Sequence, residues 1–439
     1  MCIDTSGLRA RLLCAVGLLA ASGLVLAQPG PPARPAERPI VIDGGTVHTV
    51  SGARIENGRV RIEGERIVAV GGSEVALDGA DRIDASGKQV YPGLIAAHSV
   101  LGLTEIGAVR ATLDMSEVGL NAANARAEVA VNPESELIPV TRANGVLMAL
   151  TAPQASASSV ITGTSALIQL DGWTWEDLTL KAPVGLHVVW PQVSLPPWLP
   201  AEMADSARRA NAEKLRGLRR AFERAREYGE ADAAGRIAVP DLRLAAMQPV
   251  LGGDMAVFLH AGDAQAIGEA LDFAAEFGLR AVLVGGVEAW RVADRLRSMD
   301  VAVILGGTHV LPLRRHDPVD AVFTQAAQLK AAGVRFAIAS PGDSFDTANL
   351  RNLPYHAASA VAHGLSFEDA LRAITLSPAE ILGVADQVGS LEPGKLATMV
   401  IADGDPLEAR THVERAWIRG REIDLSSKHT RLYDKYRGR

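Results

Sequence analysis

Cysteine is nearly absent from the 439 residues: Cys2 and Cys14 are the only two, both close to the N-terminus. If that end is removed on maturation, the remaining chain has no thiol. Disulfides, thiol nucleophiles and thiolate metal ligands are then excluded. An excess of positive charge is also missing. Lys and Arg number 44 against 51 Asp and Glu, for a net charge of -7 and a pI near 5.9. That balance offers no electrostatic footprint for nucleic acid. Long apolar runs are absent too, except one. Arg9 and Arg11 precede "LLCAVGLLAASGLVLA", which ends with the small residues Val25 and Ala27. At about 16 residues the run is short of the roughly 20 that a spanning helix needs. A basic start, an apolar centre and small residues at the end form a secretory signal peptide, residues 1–27, cut after Ala27. No cysteine follows the cut, which argues against a lipoprotein. Residues 28–39, "QPGPPARPAERP", follow as a Pro-rich leader. The expected location is periplasmic or extracellular, with no stable membrane anchor after cleavage.

What is present is a large folded chain. At 48% hydrophobic and 22% charged, it can bury one large core, or one large and one small. From Ile40 to about Gly87, "IVIDGGTVHTVSG", "GRVRIEGERIVAVGG" and "DRIDASGKQV" alternate apolar and polar residues between turns. That is the period of half-buried antiparallel strands. A matching set, "VGSLEPGKLATMVIADGDP" and "HVERAWIRGREI", lies at the other end. Residues 40–88 and 385–425 are therefore expected to form one composite β-sandwich domain.

Between them, residues 89–384 alternate apolar strands with amphipathic helices. Strands are expected at Gln89–His98, Gly145–Leu150, Val160–Leu170, Gly185–Trp190, Met255–His260, Arg280–Gly285, Val301–Leu305 and Arg335–Ser340. Helices are expected at Asp205–Tyr228, Ala264–Gly278, Glu288–Met299, Val319–Ala332 and Ser366–Ile374. Eight strands alternating with helices predict a parallel α/β fold of the (β/α)8 TIM-barrel type, whose active face lies at the C-terminal strand ends. Several histidines fall near those ends. His187 is the only ionisable side chain on strand four and reads as a core residue or a substrate contact. His309, after strand seven, is a loop residue or a substrate contact. Glu105 and Arg110 belong to a charged loop after strand one, which either reaches the substrate or covers the barrel mouth. His316 beside Arg314 and Arg315 could bind an anion. His356 and His363 stand at helical spacing and read as packing residues. Trp173 and Trp175 form an aromatic cover or stack on a ring-bearing substrate.

"GGTVHTVSG", "GKQVYPGLIAAHS", "SPAEILGV" and "GSLEPGKLA...VIADGDPL", in that order, resemble the amidohydrolase superfamily in its imidazolonepropionase-like branch. The resemblance runs from Ile40 to Ile423. It implies a (β/α)8 barrel with a small β domain from both chain ends. It also implies hydrolysis of C–N bonds other than peptide bonds in a small or cyclic substrate. Members hold one or two divalent metals through a His-x-His pair on strand one, a Lys or Glu on strand four, a His each on strands five and six, and an Asp on strand eight. Such a metal makes hydroxide available near neutral pH, and the Asp takes the proton.

Mapped by position, His98 stands at the first strand-one His, Val100 at the second and Ala96 at the preceding Asp. His260 matches on strand five. Strand six, "RAVLVGG", ends in Gly285 and Gly286. Strand four has His187, with Lys181 before it. Strand eight, "FAIASPGDS", has Ser340 near the Asp position and Asp343 three residues on. The resemblance thus implies His98 and His260 as ligands for at most one divalent ion such as zinc, or for none, and Asp343 as the catalytic carboxylate. Three functions are open: a hydrolase, a non-catalytic barrel that binds a small molecule, and a partner subunit of an intact amidohydrolase. Self-association is common in such proteins and is a further expectation. N-terminal sequencing of the exported chain is expected to start at Gln28, with no thiol titrating in the unfolded protein. A mature chain retaining Cys14 would overturn the signal-peptide assignment.

Overall fold

A computed structural model describes residues 32–191 and 199–439. The signal peptide assigned to residues 1–27 and the start of the leader lie outside the described residues. No described helix is long and apolar enough to cross a membrane. The alternating N-terminal stretches form β1 (Ile40–Val47), β2 (Ile55–Glu63), β3 (Arg66–Gly71), β4 (Asp81–Asp84) and β5 (Gln89–Pro92).

The middle of the chain supplies β6 (Leu94–Ser99), β7 (Val146–Thr151), β8 (Ile161–Thr164), β9 (Ala166–Gln169), β10 (Thr179–Lys181) and β11 (Gly185–Val189). It continues with β12 (Ala256–Ala261), β13 (Ala281–Gly285), β14 (Ala302–Leu305) and β15 (Phe336–Ile338). All eight expected strands are present, the first divided into β5 and β6 and the third into β8 and β9. β6 is parallel to β7, and β11 through β15 are parallel to one another. The third strand departs from the expected parallel order. β9 runs antiparallel to β7, and β8 antiparallel to β11. The reason is length. Only the nine residues 152–160 join β7 to β8, whereas a parallel return needs a crossover of about a dozen or more. The chain re-enters at the same end and runs back.

One residue from each of seven strands, Ile95, Met148, Leu167, Phe258, Val282, Ile304 and Ala337, meets in a shared buried cluster. On the remaining strand, β11, Gly185 carries no side chain, and a Cβ there would lie 2.2 Å from the Phe258 ring. Between β15 and β6 no ladder joins the described strands. Instead the Ile95 N–H donates to the Ile374 carbonyl at 2.9 Å.

The C-terminal strands are β16 (Met399–Ala402), β17 (Val413–Ile418) and β18 (Arg421–Glu422). They join the N-terminal set in a single eight-strand sheet, ordered β18-β17-β16-β5-β1-β2-β3, rather than two separate sheets. β1 forks, its first half pairing with β4 and its second with β5. The buried face carries Ile42, Val60, Ile62, Ile67, Met399 and Trp417.

Helix Ala201–Ala233 extends past both ends of the expected 205–228. Its charged residues face solvent while Leu218, Ala221, Phe222 and Ala225, at 3–4-residue spacing, are buried. That stripe lies on helix Ala264–Phe277, where Asp263 caps the N-terminus and Gly278, at φ +66°, ends it in the left-handed conformation. Phe222 meets Phe273 edge-on at 5.0 Å and Phe277 at 5.4 Å. The expected helix 288–299 is instead a 3-10 turn, Ala289–Val292, followed by helix Ala293–Ser298. Phe273→Ala should cost about 3–5 kcal/mol of unfolding free energy by leaving a cavity between the two helices. Denaturant titration measures it, and a loss under about 1 kcal/mol would show that this contact does not hold the long helix.

Candidate functional site

Three histidines converge inside the strands. His187 on β11 is fully buried and lies flat on Phe258 of β12, ring centroids 4.7 Å apart and planes 10° from parallel. Its Nδ1 lies 2.8 Å from Nε2 of His260 at the end of β12. The two residues are not ladder neighbours: His187 pairs with Phe258, and His260 with Val189. The contact is diagonal, within reach of rings on one sheet face. His98 of β6 completes the set, its ring 5.1 Å from that of His260. His98 and His187 are buried, and His260 is partly exposed, so the cluster meets solvent at His260.

His98 reaches this position through a β-bulge. Between Ala96↔Ala149 and Ser99↔Thr151, β6 has one residue more than β7. A bulge re-aims the side chains it carries, so simple i, i+2 alternation does not describe this strand end. Val100 is fully buried among apolar residues. Its N–H donates to Thr347 Oγ1, which ties strand one to the helix after strand eight. Gly342, at φ +85°, lies against His98; a Cβ there would come within 2.1 Å of Nδ1.

Burial holds all three imidazoles neutral. It lowers His98 to about 4, although the Pro341 backbone and the Asp343 charge favour its protonated form. It lowers His187 and His260 well below the usual range, and the charges of neighbouring imidazoles add to the effect. Two ring nitrogens, His98 Nδ1 and His187 Nε2, are buried without a hydrogen-bond partner, as is the Ser340 hydroxyl at the end of strand eight.

Neutral imidazoles are suitable metal ligands, but their arrangement does not fit the centre that the resemblance implies. Two nitrogens bound to one tetrahedral zinc stand about 3.3 Å apart. The 2.8 Å approach of His187 to His260 is a direct hydrogen bond, which occupies one nitrogen of each. Among the described residues, no group of three or more His, Cys, Asp or Glu is arranged to hold an ion.

Asp343 lies outside the imidazole cluster. It is exposed and caps helix Ser344–Ala348, accepting from the N–H groups of Phe345 and Asp346. Asp346 was not singled out in the sequence, where a carboxylate just after a Gly-Asp-Ser turn reads as part of the cap. Burial and the neighbouring Asp343 push it up to about 6. Four further candidates make contacts within the fold. Glu105 accepts from Ser135 Oγ at 2.6 Å and from the Glu136 N–H at 3.1 Å, which fixes the strand-one loop. Arg110 donates to the Leu113 carbonyl within its own turn and is exposed. His309 lies 2.7 Å from Ser359 Oγ and packs on His356. Arg314 forms two hydrogen bonds to buried Glu288, so it is not free to bind an anion.

Residues 175–423 match the sequence profile of the Amidohydrolase family. Over 158 residues the chain is 34% identical to the imidazolonepropionase of Acidiphilium cryptum, covering 35% of this chain and 37% of that protein. The amidohydrolase tasK of Hapsidospora irregularis is 24% identical over 416 residues, 82% of this chain and 39% of its own. The chain therefore spans less than two fifths of either relative's length. Among solved structures, an amidohydrolase of Thermotoga maritima superposes with a TM-score of 0.77 at 26% identity, over 88% of this chain and 99% of that one.

Neutral buried imidazoles make stability depend on pH with a definite sign. The unfolded histidines gain protons below about pH 6.5 and the folded ones do not, so stability present at pH 7 is lost on acidification. Each group contributes a slope of up to about 1.4 kcal/mol per pH unit. His48 and His356, also lowered, act in the same direction. Asp346, raised, opposes them by one group. Unfolding free energy should fall by at least about 2 kcal/mol from pH 7 to pH 5. A flat profile would show that the cluster is protonated when folded.

Proposed function

Because the chain belongs to the amidohydrolase family, we propose that it hydrolyses a carbon–nitrogen bond, other than a peptide bond, in a small or cyclic substrate. The observation that carries this is the convergence of His98, His187 and His260 from strands one, four and five, with one member open to solvent. The relatives named as an imidazolonepropionase and an amidohydrolase support the same chemistry. The eight strands are taken as the wall of a (β/α)8-type barrel with its third strand reversed, and the mature protein as an exported one.

Hydrolysis needs one group to take a proton from the attacking water and another to give one to the leaving nitrogen. Imidazoles held as low as these are poor bases at neutral pH, because a proton carrier works best near the operating pH. Their role here is to orient: one ring N–H and one ring lone pair each, fixed by the His187–His260 bond and the Phe258 stack. Asp346, raised to about 6, is matched to proton transfer near neutrality. No step is routed through a metal, since the ligand geometry does not accommodate one.

A second reading has its own support. The His187–His260 hydrogen bond and the exposed, helix-capping Asp343 also suit a barrel that binds a small molecule without turning it over, alone or paired with an intact amidohydrolase.

Turnover of cyclic amides, cyclic imides and dipeptide-like compounds by the exported protein separates the two. For the hydrolase, His260→Ala should lower kcat/KM about 100-fold or more. The rate should rise with pH through about 6 as Asp346 ionises, and Asp346→Asn should abolish that limb. Saturable binding with no turnover would establish the second reading instead. Metal analysis should find less than about 0.1 equivalent. Stoichiometric zinc, lost in both His98→Ala and His260→Ala, would restore the family's metal chemistry.

A further inference from the structure

A cavity of about 380 Å³ lies between helix Ala201–Ala233, helix Leu242–Ala246 and the loop that follows strand one. Three guanidiniums line it, those of Arg220, Arg224 and Arg243, against one carboxylate, Asp241. Asp241 Oδ1 caps its helix, accepting from the Arg243 and Leu244 N–H groups. Arg220 reaches Glu213 at 3.2 Å, whereas Arg224 and Arg243 have no carboxylate partner among the described residues. By contrast Arg208, Arg216 and Arg219 on the same helix are each paired with an acid. Arg220 and Arg224 stand at i, i+4 on one helix face, a spacing at which like charges repel. Glu213 offsets that repulsion at Arg220 and leaves Arg224 without a counter-charge among the described residues.

The floor of the cavity is built by close packing. A Cβ on Gly217 would lie 2.6 Å from Leu120 Cδ1, so the missing side chain lets Leu120 sit against the helix. The Leu120 carbonyl accepts from the N–H groups of Val160 and Ile161, which anchors the floor to the start of the third strand. That strand begins beside the end of β11, so the cavity lies at the rim of the face where the histidines gather.

We propose that this cavity binds a small anion, a phosphate or carboxylate group, between Arg224 and Arg243 with Arg220 alongside. Planar guanidiniums grip such groups through paired N–H donors, and two unpartnered ones facing a concave site supply that grip. The site is separate from the imidazole cluster and does not depend on the protein being a hydrolase.

Calorimetric titration of the exported protein with inorganic phosphate, succinate and uncharged succinamide tests this. Saturable binding of one or both anions, and none of succinamide, is expected; the anion preferred identifies the ligand group. Arg224→Ala and Arg243→Ala should each weaken binding about tenfold or more, with Arg224→Lys in between, and added salt should weaken it further. All three side chains are exposed, so the variants should fold, which circular dichroism checks. Binding that survives both alanine substitutions, that is lost in His260→Ala, or that is not saturable up to about 10 mM, would overturn the proposal.

Discussion

The hydrogen bond between His187 and His260 fixes what the interior of this protein can be. At 2.8 Å it takes one nitrogen from each ring out of any further coordination. Phe258 holds His187 flat against it, and Gly185, one pleat earlier on the same strand, leaves the space that the phenyl ring fills. A larger residue at Gly185 would push Phe258 away and free the His187 ring. At the positions where the family resemblance implies further ligands, this chain has Val100, Gly285, Gly286 and Ser340, none of which is a strong ligand. His187 and His260 thus satisfy one ring nitrogen each. Two ring nitrogens and one hydroxyl remain buried without a partner. Such groups are costly to bury and are retained where something uses them.

The third imidazole depends on a different set of contacts. The bulge in β6 turns His98 inward, and Gly342 comes close enough to its ring that only glycine fits. The segment from Ser340 to Thr347 thereby joins strand eight to strand one where no ladder does. Its glycine packs on His98, its threonine takes the Val100 N–H, and its two aspartates share one helix terminus. Asp343 accepts the helix N–H groups of Phe345 and Asp346. Asp346, partly desolvated and beside Asp343, is pushed up to about 6.

Much of the fold was legible in the sequence, because apolar runs of four to six residues separated by amphipathic helices leave few alternatives. All eight strands were placed within a few residues. The reversed third strand was not foreseen, although its cause is written in "APQASASSV": the stretch is too short, and too rich in Pro and Ser, to form the helix of a parallel crossover. His98 and His260 were legible because motifs carry them. The His187–His260 bond was not, since it depends on the diagonal offset between strands 73 residues apart in sequence. Asp346 was hidden for a similar reason. Its raised affinity for a proton comes from Asp343 and from burial, and neither is a property of a short motif.

These features divide the charge of the molecule. The strand interior holds neutral imidazoles, a hydroxyl and apolar side chains, while ionised groups are kept at the rim. A charge carried into that interior would lose its hydration with no counter-charge to meet it, and no amount of shape fit offsets such a loss. A ligand of the proposed kind, entering past His260, would have to present an uncharged part, such as an amide or a ring, to the histidines. Any charged part must remain at the mouth, among groups still in contact with water. The restriction follows from the direct imidazole pair.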